Sequence, residues 1–344
     1  MTLRIGIVGA GKMGFATARG LQDYTDVQVV AVAEPARSAR DAFARTFGTR
    51  LAVSDHRGLA ADEGVDIVYI CSPPATHGAI AVDSLRAGKH VICTQPMAVT
   101  MDQADEMMQA AEESAKRLFV ALPQRYDPVN QLAAKFLIDD EIGYPFMLLS
   151  ACVINEYDSL NDWHDWRGTW DVGGGGVLME RGSELIDLLR YLLGETDAVN
   201  AVCTRFAIEP LNKAEDSCVI SLEFVDEITG ELAITGAARY SAWPEKYAGN
   251  ALRLEVFGLE GSIRIAYSEP RITIVSRKHG QRSFTSMEIQ TSLPTDMDRD
   301  FLDCILQGGA PLVTPEDARE ALRVVLAAYK ASQMKRRVEL IERL

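Results

Sequence analysis

The amino-acid sequence predicts an α/β protein with a doubly wound parallel sheet, followed by a second, strand-rich α+β domain. A short apolar strand, Leu3–Val8, runs directly into a glycine-rich turn and then into a helix. Further apolar, β-branched runs alternate with helical segments up to residue 122, which is the order of βαβ units. Beyond residue 123, strand-like runs follow one another with Gly, Pro or Asn between them, as hairpins require.

Length and spacing place the domain boundary and its elements. The 344 residues suffice for two domains, which we predict at 1–122 and 123–344. In the first domain we predict strands at 3–8, 27–33, 65–70 and 118–122, and a central strand built on Val91 and Ile92 that ends in Thr94-Gln95-Pro96. In the second we predict strands at 146–154, 199–208, 218–224, 231–238, 252–257, 262–266, 271–276 and 283–289, then helices at 297–306 and 315–334.

Composition excludes several classes of partner. The net charge of −14 argues against nucleic acid and anionic membranes, because both need clustered Lys and Arg. No apolar stretch approaches the roughly 18–20 residues of a membrane span, and no signal peptide precedes the first strand. The six cysteines form no CxxC pair, which favours buried thiols in a reducing compartment over disulfides or a zinc site. We expect a cytoplasmic protein.

The turn after the first strand carries a dinucleotide-binding fingerprint. It reads Gly9-Ala10-Gly11-Lys12-Met13-Gly14, with a strand before it and a helix after it. The glycines allow a tight turn and close approach of the backbone to a pyrophosphate, and the helix amino terminus offers N–H groups to it. We predict that this segment binds the cofactor.

The residue after the second strand bears on which dinucleotide binds. Val27–Ala33 ends in Glu34, 20 residues beyond Gly14. An acid at this position accepts hydrogen bonds from the adenosine ribose hydroxyls and repels a 2′-phosphate, which favours NAD over NADP. Arg37 and Arg40 lie just beyond and could accommodate that phosphate, so NADP stays the alternative.

Two later strands end in polar residues at the predicted carboxyl edge of the sheet. These ends contain Ser72, Pro73 and His77 in one case and Thr94, Gln95 and Pro96 in the other. Ligands bind outside the carboxyl ends of parallel strands, so we expect the dinucleotide to contact these residues. His77 has two further interpretations, a catalytic base or a structural residue that caps and packs under the next helix.

Glycines 173–176 precede a predicted helix that carries three acids. Glu180, Glu184 and Asp187 fall on one helical face at i, i+4 and i+7. If they converge on a partly buried cleft, one acid should bind its proton more tightly and become a usable acid or base. A solvated acidic face is the alternative. Three carboxylates could also hold a divalent metal, but no His or Cys ligand pattern accompanies them, so we predict no metal.

Aromatic and basic residues lie just ahead of those glycines. Trp163, Trp166 and Trp170 are spaced i, i+3, i+7, and Arg167 lies among them. They are either core residues or, with Arg125, a stacking wall with hydrogen-bond donors for a polyhydroxylated ring. The arginines could instead select an anionic substituent.

The order of these motifs resembles the glucose–fructose oxidoreductase / inositol dehydrogenase family (Gfo/Idh/MocA). The resemblance rests on GxGxxG, the acid after the second strand, Ser-Pro-Pro-x-x-His at 72–77, Ala-Gly-Lys-His-Val at 87–91, Gln-Arg-Tyr-Asp-Pro at 124–128, Ile-Gly at 142–143, the glycines and Pro-Glu-Asp-Ala at 315–318. It implies a doubly wound NAD(P) domain and a second domain with a large open, mainly antiparallel sheet. It also implies hydride transfer to or from the nicotinamide, and a homodimer or homotetramer that covers the sheet.

Three positions that the resemblance associates with catalysis differ here. The family's Glu-Lys-Pro carries a lysine where this chain has Gln95, and its Asp and His correspond to Glu180 and Glu184. Glutamine orients a hydroxyl or carbonyl but cannot exchange a proton near neutral pH. Glu184 is therefore the preferred general acid or base, with Glu180 orienting it or sharing the proton. His164, the only histidine in the predicted substrate region, is a second candidate.

These observations leave three hypotheses for function. The preferred one is an NAD-dependent oxidoreductase acting on a secondary alcohol or ketone of a sugar- or cyclitol-like substrate, contacted by Arg125, Trp166, Arg167 and Asp187. The second is a redox-neutral glycosidase or lyase cycle of oxidation, elimination and reduction. The third, motivated by the missing lysine, is a non-catalytic NAD-binding sensor.

Overall fold

The computed structural model describes residues 2–156, 158, 165–206, 214–238, 250–267 and 270–340. Its contacts divide the chain into two compact units. One is Met1–Leu122 with Asp296–Arg319, and the other is Pro123–Thr295 with Glu320–Leu344. The sequence-based division at 122/123 did not anticipate that residues 296–319 belong to the first unit.

The described elements follow in chain order. The helices are α1 Lys12–Leu21, α2 Arg37–Phe47, α3 His56–Ala60, α4 His77–Arg86, α5 Met101–Ser114, α6 Pro128–Ile138, α7 Trp170–Gly173, α8 Ser183–Leu193, α9 Met297–Gln307 and α10 Pro315–Met334. The strands are β1 Leu3–Val8, β2 Val27–Ala33, β3 Leu51–Val53, β4 Ile67–Ile70, β5 His90–Thr94, β6 Leu118–Ala121, β7 Pro145–Ile154, β8 Thr196–Thr204, β9 Ser217–Phe224, β10 Thr229–Thr235, β11 Asn250–Gly258, β12 Gly261–Ala266, β13 Arg271–Ser276, β14 Gly280–Thr285 and β15 Val338–Glu339. Short 3-10 turns cover Pro74–Thr76, Pro123–Tyr126, Val225–Glu227 and Ser286–Glu288, and a π-helical turn covers Leu178–Gly182.

The first unit contains a parallel six-stranded sheet in the order β3-β2-β1-β4-β5-β6. All four residues of β4 and the centre of β5 are buried, as expected of a parallel sheet covered on both faces. The order reverses between β1 and β4, and the carboxyl ends at such a reversal form the ligand crevice of doubly wound folds. The predicted parallel sheet is confirmed.

Helix α9 explains why residues 296–319 belong to this unit. Its Phe301 is fully buried and stacks on Phe119 of β6, with ring centroids 4.8 Å apart. Arg299 donates to both carboxylate oxygens of Asp26, at 2.9 and 3.0 Å. The sequence of an amphipathic helix does not show which of two sheets it packs against. The packing of residues 296–319 in the first unit could therefore not be predicted from the pattern.

The second unit contains a nine-stranded sheet in the order β14-β13-β12-β11-β7-β10-β9-β8-β15. Neighbouring strands are antiparallel except β7 and β10, which are parallel. This confirms the expected mainly antiparallel sheet. One face is buried, and the other exposes large apolar side chains, among them Met147, Leu149, Val202, Val219 and Val275.

None of the helices in the described residues combines the length and apolarity needed to cross a membrane. The longest of them, α10, is amphipathic, since charged residues are interspersed with apolar ones along it. It begins with a capping box in which Thr314 and Asp317 exchange hydrogen bonds, the cap expected from the sequence.

Candidate active site

The glycine-rich turn of the first unit has the shape of a pyrophosphate cradle. Gly9 has φ +100°, and a Cβ there would lie 2.7 Å from the carbonyl oxygen of Cys71. A Cβ at Gly14 would collide with the Gly9 carbonyl oxygen, whereas one at Gly11 would meet no protein atom within 4 Å. No side chain caps α1, so the first N–H groups of the helix stay available to an anion. This geometry fits a dinucleotide, with Lys12 and Met13 exposed beside it.

Glu34 lies across the mouth of the same turn. Its carboxylate accepts hydrogen bonds from the backbone N–H of Ala10 and of Ala36, both at 2.9 Å. Arg40 donates to the Glu34 carbonyl oxygen at 2.6 Å instead of reaching outward. A fixed carboxylate with remaining lone pairs suits ribose hydroxyls, and its charge opposes a 2′-phosphate. The local geometry therefore fits NAD.

The ends of β4 and β5 carry the other predicted cofactor residues. Ser72, Pro73, Thr94 and Gln95 are all half-buried at the carboxyl ends of these strands, and the Gln95–Pro96 peptide bond is cis. Thr94 Oγ1 donates to the Ile70 carbonyl oxygen at 3.1 Å. Their positions match the sequence prediction, and their contacts with a cofactor stay a prediction.

His77 does not have the predicted contact role. Its side chain has no exposed surface, and its ring nitrogens lie 2.9 Å from the Pro96 carbonyl oxygen and 2.8 Å from that of Ser72. Burial lowers the pKa of His77, so it is neither a surface ligand nor a poised base. The correction is that His77 positions the two strand ends by bridging their carbonyl groups.

In the second unit, Arg167 holds Glu180. Its Nε donates to Glu180 Oε1 at 3.0 Å, and its Nη1 lies 3.0 Å from both carboxylate oxygens of Asp165. The guanidinium also lies over the Trp166 ring, 4.7 Å from its centroid. Two of the three guanidinium nitrogen atoms of Arg167 are thereby occupied. The substrate contacts predicted for Arg167 and Trp166 remain predictions.

Burial and the charge of Glu156 raise the pKa of Glu180 to about 7, although Arg167 and Arg181 act in the opposite direction. Arg181 donates to Glu156 Oε1 from Nε at 3.2 Å and from Nη2 at 3.1 Å. Within the described ranges, Glu156 Oε2 is buried and has no hydrogen-bond partner. Arg181 thus binds Glu156, the acid whose charge raises the pKa of Glu180 and Glu184.

Glu184 is the acid best placed for chemistry. It is 8 % exposed, and burial raises the pKa of its carboxyl while Arg181 lowers it. Arg181 Nη1 lies 3.8 Å from Glu184 Oε1, beyond hydrogen-bond distance. The structure shows no hydrogen bond to Glu184 from the residues it describes. A buried acid held only by this long ion pair is available to a ligand.

Glu184 lines a cavity of about 230 Å³ in this unit. The lining residues are Gln124, Asp127, Cys152, Arg181, Glu184, Leu185, Leu252, Tyr267 and Pro270. The cavity mixes apolar walls with convergent polar groups, as small-molecule sites do. Burial also raises the pKa of Asp127, which caps α6 through the Val129 N–H at 2.8 Å.

The three acids of this helix do not act as one face, because Glu180, Glu184 and Asp187 each have a different arginine nearest to them. Leu178–Gly182 is a π-helical turn, whose i→i+5 bonding shifts Glu180 relative to Glu184 on α8. Gly182 permits this turn, since a Cβ there would lie 2.5 Å from Leu178 Cδ1. Glu180 therefore contacts Arg167 while Glu184 faces the cavity, and the charges of Glu156 and Arg181 act on both acids.

Arg125 and Asp187, predicted as substrate-binding residues, instead bind each other. Arg125 Nε donates to Asp187 Oδ2 at 2.9 Å and Nη2 to Oδ1 at 2.6 Å. Arg125 is 8 % exposed and Asp187 is fully buried. This ion pair fastens the Pro123–Tyr126 turn to α8, and the substrate contacts predicted for Arg125 and Asp187 stay predictions.

Other expectations concern residues near this cluster. His164 and Trp163 lie outside the described residues, whereas Trp170 packs edge-on against Tyr329 with centroids 4.9 Å apart. Across the part of the chain that the structure describes, no group of three or more His, Cys, Asp or Glu side chains is arranged to hold a metal ion.

Sequence reasoning missed Glu156, Arg181 and Tyr267. Glu156 follows β7 and Tyr267 follows β12, and a polar residue directly after an apolar strand is a signal that could have found both. It also missed Glu215, whose carboxylate accepts from the Gly176 and Leu178 N–H groups and from the Tyr329 hydroxyl at 2.8 Å. No local signal marks that role, since its partners are 37 to 114 residues away.

Comparison with known proteins gives the family. Residues 3–122 match the Gfo/Idh/MocA model described as an oxidoreductase family, NAD-binding Rossmann fold, and residues 135–340 match the model of its C-terminal alpha/beta domain. The myo-inositol 2-dehydrogenase of Thermotoga maritima is 25 % identical over 99 % of each chain. The levoglucosan dehydrogenase of Pseudarthrobacter phenanthrenivorans is 26 % identical over 83 % of this chain and 80 % of its own.

Solved structures agree in fold. A levoglucosan dehydrogenase in complex with NADH has a TM-score of 0.87 at 23 % identity and covers 100 % of both chains. An oxidoreductase domain protein from Kribbella flavida has a TM-score of 0.87 at 24 % identity, covering 99 % of this chain and 100 % of its own. These findings confirm the resemblance drawn from the motifs and the prediction of NAD as cofactor: the chain belongs to the Gfo/Idh/MocA oxidoreductase family, and its first unit is an NAD-binding Rossmann domain.

Proposed function

We propose that the protein is an NAD-dependent dehydrogenase or reductase that interconverts a secondary alcohol and a ketone on a sugar- or cyclitol-like substrate. The observation that carries the proposal is Glu184, a buried acid that lines a cavity and accepts no hydrogen bond from the described residues. The names of two relatives, a myo-inositol and a levoglucosan dehydrogenase, support a polyhydroxylated substrate.

Bound NAD supplies the hydride acceptor. Gly9, Gly11 and Gly14 would admit its pyrophosphate, and the Glu34 carboxylate would accept hydrogen bonds from its ribose hydroxyls. Glu184, as carboxylate, takes the proton of the substrate hydroxyl, and in the reverse direction the protonated acid returns it. Burial raises its pKa toward the range in which a general base works best near neutral pH.

Gln95 orients the substrate oxygen by hydrogen bonding and holds no transferable proton. The proton step that the family's lysine would perform therefore passes to the acids. Glu180, with its pKa at about 7, serves as a second proton store beside Glu184 through the shared neighbours Glu156 and Arg181.

The substitution Glu184→Gln tests this assignment. Removing a general acid or base typically costs about 10²–10⁴-fold in turnover, whereas the affinity for NAD should stay unchanged. Glu106→Gln, at an exposed position on α5, is the matched control and should retain full activity. Full activity in Glu184→Gln would refute the role of Glu184.

The redox-neutral cycle is the alternative, because a buried base can also remove a proton α to a ketone. Nicotinamide absorbance with NAD and a panel of polyols, sugars and glycosides separates the two. Reduced nicotinamide that accumulates in proportion to substrate supports the dehydrogenase. Reduction of at most one cofactor per site while glycoside is cleaved catalytically supports the cycle, and binding without turnover of any substrate supports a sensor.

We further propose that the exposed apolar face of the second unit is covered in a homodimer or homotetramer. Met147, Leu149, Val219 and Val202 are all exposed on the same face of the sheet, on β7, β9 and β8, and exposed apolar patches of this kind mark association sites. Sedimentation equilibrium of wild type and of Leu149→Lys tests this, because a lysine should weaken the assembly. A monomeric wild type would refute it.

A further inference from the structure

Two cysteines face each other across β8 and β9. In the antiparallel register of these strands, Cys203 lies directly opposite Cys218. Their Sγ atoms are 2.7 Å apart, closer than two unbonded sulfur atoms normally lie. Both side chains occupy the buried face of the sheet, where Ile220 and Leu222 of β9 also lie.

The backbone around this pair suits a covalent bond. The Cys203 N–H donates to Ser332 Oγ of α10 at 2.9 Å and so points away from β9. That direction identifies a non-hydrogen-bonded pair, in which opposite Cα atoms lie about 4.5 Å apart and the side chains are closest. A disulfide requires a Cα separation of roughly 4.4–6.8 Å, so it needs no strand movement here.

The two thiols differ in access. Cys203 is half-buried, whereas Cys218 is only 2 % exposed. The hydrogen bond to Cys203, together with burial, raises the pKa of the Cys218 thiol. A reagent in solution therefore reaches Cys203 first, and Cys218 is the neighbour that can react with the product.

We propose that Cys203 and Cys218 form an intrachain cross-strand disulfide when the protein meets a small-molecule disulfide such as oxidised glutathione. The Cys203 thiolate attacks one sulfur of the oxidant and releases one glutathione thiolate, which takes up the proton lost by Cys203. The Cys218 sulfur then attacks Cys203 Sγ and releases the second glutathione, which takes up the Cys218 proton. Two protein thiols are oxidised by two electrons in total, and one glutathione disulfide is reduced to two thiols.

The bond would fasten the strand that begins just after Glu215. The carboxylate of Glu215 accepts hydrogen bonds from Gly176 and Leu178 N–H, and these precede Glu180. The disulfide would thus restrain Glu215, the residue that holds the backbone of Gly176 and Leu178. This inference is independent of the proposed enzymatic activity, and its test does not use a substrate.

Peptide mapping tests the bond directly. The reduced full-length protein is incubated with oxidised glutathione, alkylated and digested with trypsin, which cleaves after Arg205 and Lys213, between the two cysteines. Peptides 191–205 and 214–239 should appear joined, with a mass lower by two hydrogens than their sum, and should separate after reduction. Separate alkylated peptides, or glutathione retained on Cys203, would overturn the proposal.

Thermal unfolding provides the second readout. Closing the loop between the two cysteines should raise the Tm of oxidised wild type by roughly 6–12 °C over the reduced protein. Cys203→Ser and Cys203→Ala should both lose this increase and the joined peptides, whereas Cys304→Ser, at a buried cysteine of α9, should keep both. An oxidant-dependent increase that survives in both Cys203 variants would contradict the assignment.

Discussion

Replacing Arg125 with methionine removes one partner of a buried ion pair. The pair is bidentate, with distances of 2.9 and 2.6 Å, and Asp187 has no exposed surface. Removing one partner of such a pair costs about 3–5 kcal/mol, because the remaining charge stays buried without compensation. Arg190 Nη1 lies 3.8 Å from Asp187 Oδ1 and supplies a second cation, so we expect a loss near about 3 kcal/mol.

Urea and thermal unfolding measure this loss. A destabilisation of about 3 kcal/mol should lower the Tm by roughly 6–12 °C for a unit of this size. The double variant with Arg125→Met and Asp187→Leu should recover most of the stability, since replacing both charges with apolar groups is often neutral. The Michaelis constant of the folded Arg125→Met enzyme should stay unchanged if the buried ion pair is the whole role of Arg125.

Arg57→Met is the matched control. Arg57 pairs with Asp83 at 3.0 Å, but its side chain is 70 % exposed, and exposed pairs contribute about 0–1 kcal/mol. If Arg125→Met loses no more stability than Arg57→Met and its Michaelis constant rises strongly, the buried-pair reasoning fails. The original interpretation of Arg125 as a substrate-binding residue would then stand.

Three further perturbations test the site. Gly11→Ala should fold normally but weaken NAD binding by about tenfold or more in a fluorescence titration, because its methyl group points to the pyrophosphate position, whereas Gly20→Ala should bind normally. Glu180 has a folded pKa of about 7, above its ordinary value, so wild type should lose about 1–3 kcal/mol of stability as pH rises from about 4.5 to 7, and Glu180→Gln should flatten that slope in pH-dependent unfolding. Gln95→Lys should raise dehydrogenase turnover if the pocket still accommodates the family's lysine; loss of all activity would show that Gln95 has acquired its own role.

The first unit could be predicted closely because its signals are local. The observed bounds of β1 and β2 match the predicted ones, since parallel strands covered on both faces appear as continuous apolar runs. The short strand β3, Leu51–Val53, was missed, because three residues carry no periodicity and its strand character comes from pairing with β2. Strand β15 was missed for the same reason, as it pairs only through Val338 and Glu339.

The acidic helix was predicted less well because its chemistry depends on distant partners. Spacing alone placed Glu180, Glu184 and Asp187 on one face, but the π-helical turn changed the phase between the first two. Asp187 is neutralised by Arg125, 62 residues earlier in the chain, and no periodicity reports such a pairing. Local sequence thus identified the right segment and could not assign its individual acids.

The charge balance of that cluster supports the proposed role of its acids in place of the family's lysine. Within the described residues, four acids, Glu156, Glu180, Glu184 and Asp165, contact only two guanidinium groups, those of Arg167 and Arg181. Burial raises the pKa of Glu180 to about 7 and also raises the pKa of Glu184, so both acids hold a proton more tightly than an exposed glutamate does. A glutamine at position 95 cannot exchange a proton near neutral pH, so the proposed mechanism takes its acid or base from this cluster.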